Sequence, residues 1–161
     1  MNIVNTAGVD RLTRFVKAAL LVSLVALLLI SAAGCVINSG GAESKVNWLY
    51  NMDDALSRAQ SENKPIMIDF YADWCGPCRQ LDRDTYSDDA LSAFLNENLV
   101  CLKINVDKNK TLASNYNIVS IPAIVFLSPD GTRIGKWVGF TPPARFYQDA
   151  QAMLSQWSPQ P

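Results

Sequence analysis

The stretch Asp69-Phe70-Tyr71-Ala72-Asp73-Trp74-Cys75-Gly76-Pro77-Cys78, DFYADWCGPC, carries an apolar run into two cysteines with two residues between them. The run begins at Ile66 and continues Met67-Ile68-Asp69-Phe70-Tyr71. It is short and apolar apart from one acid, as a strand covered on both faces would be. Three chemistries suit two cysteines so placed: half of a metal site, a structural cross-link, or a dithiol that cycles. The rest of the chain has to decide among them.

Composition removes several possibilities. The 161 residues are 49% hydrophobic, enough for one ordinary domain with a real core and a short appendage. Fourteen basic residues face 15 acidic ones, a net charge of -1, so the balance offers no footprint for nucleic acid. Histidine is absent. That rules out Ser-His-Asp and Cys-His nucleophile schemes and the commonest zinc ligand together, leaving cysteine, carboxylate, lysine and tyrosine to carry any chemistry.

The first forty residues read as an address. Arg11, Arg14 and Lys17 precede an uncharged, largely apolar segment from Ala18 through Ile37. A bilayer crossing needs ~20 residues, and the positive flank keeps the N-terminus cytoplasmic while sending the remainder across. The segment ends in Ser31-Ala32-Ala33-Gly34-Cys35, which resembles a bacterial lipoprotein cleavage site with Cys35 as the lipidated residue. An uncleaved anchor and cleavage without lipid fit as well. All three place the domain outside the cytoplasm, in a bacterial cell envelope, and the first two tether it to a membrane. The expected organisation is a signal or anchor over 1–37, a linker over 38–46 and one domain over 47–158.

From about Lys45 the texture becomes that of an α/β domain. Asn51 through Asp54 can cap a helix with Met52, Leu56 and Ala59 on one face, ending at the Asn63-Lys64-Pro65 break. A strand over 66–71 follows. Ser87-Asp88-Asp89 opens a helix through Leu91, Phe94 and Leu95; Leu99 to Val106 is a second strand, and a short helix spans Lys110 to Asn115. Ala123 to Leu127 is a third strand, joined through the turn Ser128-Pro129-Asp130-Gly131 to a fourth over Arg133 to Val138. A last amphipathic helix carries Phe146, Ala150, Met153 and Leu154. The order βαβαββα, with a helix in front, predicts a mixed central sheet flanked by helices on both faces.

With these elements placed, the cysteines can be weighed. Zinc needs four ligands, and with no histidine the others would be Cys101, carboxylates or Cys35 at the far end of a linker. A cross-link closing so short a loop removes little entropy from the unfolded chain. A cycling dithiol remains, for which C-x-x-C between a strand and a helix is a recognised arrangement. Cys75 would stand exposed at the helix N-terminus, where free N–H groups and the dipole stabilise a thiolate, and Cys78 would sit shielded one turn inside. Cys101, within a strand, reads as an ordinary buried cysteine.

WCGPC is the active-site signature of the thioredoxin family, which the chain resembles over roughly residues 47 to 157. KPIMIDFYADWC and RDTYSDD are more specifically similar to the C-terminal domain of DsbD-type transmembrane thiol reductases. The resemblance implies the thioredoxin fold and no cofactor beyond the Cys75–Cys78 disulfide itself. It implies that Asp69 is the family's buried acid, with a raised pKa, taking the Cys78 proton through water, and that Lys103 is the lysine beside it. It puts a cis-proline at Ile121-Pro122, presenting the Ile121 backbone to substrate, and sets Trp74, Gly76 and Pro77 on the contact surface. Asp130-Gly131 and Gly139 match its hairpin turn and the glycine before the last helix. Two positions depart: Arg83 stands where thioredoxin has a helix-kinking proline, and Ala123 replaces the usual threonine after the cis-proline.

The implied activity is reduction of protein disulfides through a mixed disulfide at Cys75 that Cys78 resolves. An exported reductant needs electrons from across the membrane, so the implied partners are disulfide-bonded proteins and a transmembrane donor of the DsbD or CcdA type. Two other functions share the fold: a non-catalytic peptide-binding or adaptor module, and a disulfide donor working in the oxidising direction.

Overall fold

The computed structural model describes residues 43–157. The expected signal or anchor over 1–37, with Cys35, lies outside the described residues. Among the described residues no helix is long and apolar enough to cross a membrane.

The chain opens with a two-residue strand β1 (Trp48–Leu49), then runs through α1 (Met52–Glu62), β2 (Ile66–Tyr71), α2 (Gly76–Gln80), a π-helix (Leu81–Thr85), α3 (Asp89–Asn98), β3 (Val100–Asn105), α4 (Lys110–Asn115), β4 (Ala123–Leu127), β5 (Arg133–Val138) and α5 (Pro143–Gln156). The sheet order is β1-β3-β2-β4-β5. The first three are mutually parallel, and β4 and β5 are antiparallel to their neighbours. The predicted mixed sheet is present, extended by β1, which two residues are too few to announce by any period.

Local chemistry sets the boundaries. Asn51 caps α1, its side chain accepting from the N–H groups of Asp53 and Asp54 at 2.8 and 3.2 Å. The helix stops at Asn63, which takes the left-handed conformation (φ 48°) that asparagine tolerates better than most residues. Asp88 caps α3 through the Leu91 N–H at 2.8 Å. The β4–β5 turn relies on Gly131 at φ +88°, where a side chain would be strained.

Alternation along the strands divides the core. Ile66, Ile68 and Phe70 join Leu102, Ile104, Val125 and Leu127 on one face, beneath Ala55 and Ala59 of α1 and Ala113 of α4. Met67, Cys101, Ile124 and Phe126 face the other way, against Leu81, Tyr86, Leu91, Leu95, Phe146 and Ala150. A period of two puts Asp69 on this second face, together with Lys103. The helical segment after Cys78 therefore packs on the side of the sheet that carries the buried acid.

Candidate active site

The two cysteines sit where β2 hands over to α2. Cys75 is the N-cap of that helix, with extended backbone, and its Sγ accepts from the Cys78 N–H at 3.2 Å. Pro77 occupies the first turn, where a missing N–H costs nothing because those groups lack helical acceptors anyway. Cys75 and Cys78 are disulfide-bonded, with their Cα atoms 5.3 Å apart, and pack with Ala72 against Tyr71, Val106 and Ile121. In this oxidised form exposure does not separate them: Cys75 is 3% exposed and Cys78 2%. The expectation of an exposed Cys75 is thereby corrected. Both cysteines pack in one cluster with Ala72, Tyr71, Val106 and Ile121, and what distinguishes Cys75 is its place at the cap.

The other expected surface residues surround the disulfide. Ile121-Pro122 is a cis peptide, with Ile121 against the cysteine pair and Pro122 buried. Trp74 is 68% exposed, its indole N–H donating to Asp107 Oδ2 at 2.9 Å, which makes it a surface residue and not core. It borders a shallow groove of about 370 Å³ with Val106, Ile118, Val119, Ser120 and Ile121. At Gly76 a Cβ would meet nothing within 4 Å, so the helix start is bare toward solvent.

Below the pair lies a charged cluster. Parallel register sets Asp69 against Lys103, so both side chains leave the sheet on the same face. Asp69 is fully buried, and neither of its oxygens has a hydrogen-bond partner. The nearest charge is Lys103 Nζ, 3.6 Å from Oδ2, an ion-pair distance too long for a good hydrogen bond. Burial is the leading cause that pushes the Asp69 carboxyl from its ordinary 3.8 up to about 6, with Lys103 opposing and Asp82 adding to the rise. An acid poised there can both hold and release a proton close to neutrality.

Lys103 itself hydrogen-bonds Asp82, a half-exposed residue of the π-helix. Its ammonium lies 5.0 to 5.5 Å from the ring centroids of Tyr71, Trp48 and Tyr86, a cage that offsets part of its lost hydration. Asp82 and this cage are the parts that sequence reasoning missed. The available signal was spacing: Asp82 lies four residues beyond Cys78, one helical turn on. Arg83, where thioredoxin has proline, falls inside the π-helix, and the irregularity there is made by a Tyr86 N–H to Leu81 C=O bond of 2.8 Å.

Cys101 is free and buried, and burial pushes its thiol up to about 12, which keeps it protonated and inert. Among the described residues no group of three or more cysteine, aspartate or glutamate side chains is arranged to hold a metal ion.

Comparison with known proteins agrees with this geometry. A family model of the thioredoxin-like domain matches residues 52–153. The thiol:disulfide interchange protein DsbD of Yersinia pestis is 35% identical over 99 residues, which is 58% of this chain and 16% of that protein. The chain thus spans only a small part of the DsbD relatives it matches. The M-type chloroplastic thioredoxin of Chlamydomonas reinhardtii is 32% identical over 104 residues, 64% of this chain and 71% of its own length. Among solved structures, a Thermus thermophilus thioredoxin superposes with a TM-score of 0.62 at 27% identity, covering 68% of this chain and 88% of its own. The DsbH oxidoreductase reaches 0.63 at 19% identity, covering 71% and 88%, a likeness of fold.

Proposed function

Because this chain belongs to the thioredoxin-like family, we propose that it is a thiol–disulfide oxidoreductase that reduces protein disulfides through Cys75 and Cys78. The observation that carries this is a disulfide at the start of a helix whose following segment packs over a fully buried acid lacking any hydrogen-bond partner. With Lys103 at ion-pair distance and no hydrogen bond on either oxygen, a carboxyl held near 6 is suited to proton exchange.

In the reduced protein, the Cys75 thiolate at the helix cap attacks one sulfur of a substrate disulfide. The substrate's other sulfur leaves as a thiolate and is protonated by solvent. Cys78 then loses its proton, through water, to the Asp69 carboxylate, and its thiolate attacks Cys75 Sγ. The mixed disulfide breaks, the second substrate sulfur departs as a thiolate that solvent protonates, and the Cys75–Cys78 bond forms. Two electrons have passed to the substrate. Lys103 steadies the ionised Asp69, while Trp74 and Ile121 border the groove in which the substrate backbone lies, the cis bond to Pro122 sets the Ile121 backbone, and the bare helix start at Gly76-Pro77 lets the substrate approach. A dithiol from outside the domain must reduce Cys75–Cys78 to restart the cycle.

The N-terminal sequence supports a location outside the cytoplasm. The basic flank of Arg11, Arg14 and Lys17 ahead of an apolar segment directs the domain across a membrane and holds it there, through the segment itself or a lipid on Cys35. The similarity to the DsbD relatives supports a membrane-embedded electron donor of the DsbD or CcdA type as the source of reducing equivalents.

Insulin reduction with dithiothreitol tests the activity. Acceleration of B-chain precipitation by the wild type, with none from Cys75→Ser, is the expected result. No acceleration by the wild type would identify a non-catalytic peptide-binding module instead.

A further inference from the structure

Tyr86 follows the π-helix and is fully buried, its ring meeting Trp48 edge-on at 5.0 Å and Phe146 at 5.5 Å. Its hydroxyl has no hydrogen-bond partner, and neither has either oxygen of Asp69. An apolar ring would fill this place as well, so the hydroxyl needs a reason. Phenol ring and carboxyl both lie against the Lys103 ammonium; burial first and Asp69 second keep the Tyr86 hydroxyl protonated, and Tyr86 favours the Asp69 carboxylate. The groups around them come from three elements. Lys103 on β3 lies 3.6 Å from Asp69 Oδ2 and 5.5 Å from the Tyr86 ring centroid. Asp82, on the π-helix, takes the Lys103 hydrogen bond, and the neutral Cys101 thiol lies near Tyr86 on β3.

One side of this cluster opens to water. A cleft of about 480 Å³, lined in part by Trp48, Tyr71, Asp82 and Lys103, opens onto the ammonium. Asp69 and Tyr86 are both fully buried, where a hydrogen bond to a charged group is strong. Lys103 hydrogen-bonds Asp82, and the phenol is a buried donor in this cluster that has no other hydrogen bond to make.

We propose that Tyr86 is a positioning residue for Asp69: its hydroxyl donates to the carboxylate formed when Asp69 gives up its proton, and so favours the form of Asp69 that accepts the Cys78 proton. The inference rests on Asp69 being that acceptor. In the step concerned, the Cys78 S–H proton passes through water to Asp69, leaving a Cys78 thiolate and a neutral carboxyl, and the Tyr86 O–H bond stays intact throughout.

The test is a carbon-13 NMR titration of the Asp69 carboxyl in the oxidised full-length chain, in detergent, for wild type and Tyr86→Phe. A lost hydrogen bond to a charged group should raise the midpoint by roughly one to two pH units. An unmoved midpoint in a folded Tyr86→Phe protein overturns the proposal. Should that variant not fold, 3-fluorotyrosine at position 86, a stronger donor of nearly the same size, should lower the midpoint, and no movement overturns the proposal equally. Insulin-reduction rates against pH separate this from the reading beneath it. The rate profile should follow the carboxyl midpoint upward in Tyr86→Phe; a moved midpoint with an unmoved profile retains the contact but removes Asp69 as proton acceptor.

Discussion

Replacing Asp69 by asparagine should make the protein more stable and less active at the same time. The buried carboxyl is raised from 3.8 to about 6, and at 1.36 kcal/mol per unit its ionisation in the folded state costs about 3 kcal/mol once the pH is well above 6. Below pH 3.8 the group is protonated in both folded and unfolded chains and costs nothing. Between 3.8 and about 6 the unfolded chain has released a proton that the folded one still holds, so stability falls as pH rises. Above about 6 the loss is complete. Asparagine keeps the shape and cannot ionise, and Lys103 keeps its bond to Asp82. Oxidised Asp69→Asn protein at pH 7.5 should therefore gain about 3 kcal/mol in urea unfolding followed by tryptophan fluorescence, or about 10 °C in midpoint temperature. The gain should shrink to near nothing at pH 3.5. An unchanged or reduced stability at pH 7.5, or a gain independent of pH, would refute the argument that Asp69 is a desolvated, underpaired acid.

Two further outcomes follow from the geometry. In reduced protein near neutral pH, iodoacetamide should modify Cys75 well before Cys78, as read by peptide mass spectrometry, because Cys75 caps the helix while Cys78 lies within it; equal labelling would contradict the assigned roles. Deleting residues 1–37 should yield a soluble, active domain, because that cut retains Lys45, whose N–H bonds the Tyr86 carbonyl at 2.8 Å, and the buried Val46. Aggregation or loss of insulin reduction would place the domain boundary further upstream.

Much of this site is legible in the amino-acid sequence, for physical reasons. DFYADWCGPC contains the end of a buried strand, a helix-starting Gly-Pro and both sulfurs in ten consecutive residues, so local rules suffice. Asp69 stands out as the one acid in an apolar run, and β4 reads directly from Ala123-Ile124-Val125-Phe126-Leu127. What stays hidden is tertiary. Asp82 looks like any exposed helical acid until the π-helix turns it toward Lys103, and hydrogen bonding from i to i+5 has no signature in composition. Tyr86 resembles a core aromatic until its hydroxyl is found buried and without a partner, as the Asp69 oxygens are. The shared burial of the two cysteines depends on Ile121 arriving from a distant loop, and spacing within C-x-x-C carries no information about that.

Redox direction is the claim on which the proposed function turns, and the equilibrium potential of the Cys75–Cys78 pair tests it most directly. Dithiols of this fold range from about -270 mV in thioredoxin to about -120 mV in DsbA, a span worth roughly 7 kcal/mol for two electrons. Equilibrating the protein with defined glutathione or dithiothreitol buffers, then trapping free thiols for mass analysis, gives the value. A reductase should show a midpoint below about -200 mV, and a midpoint near -120 mV would make this protein a disulfide donor.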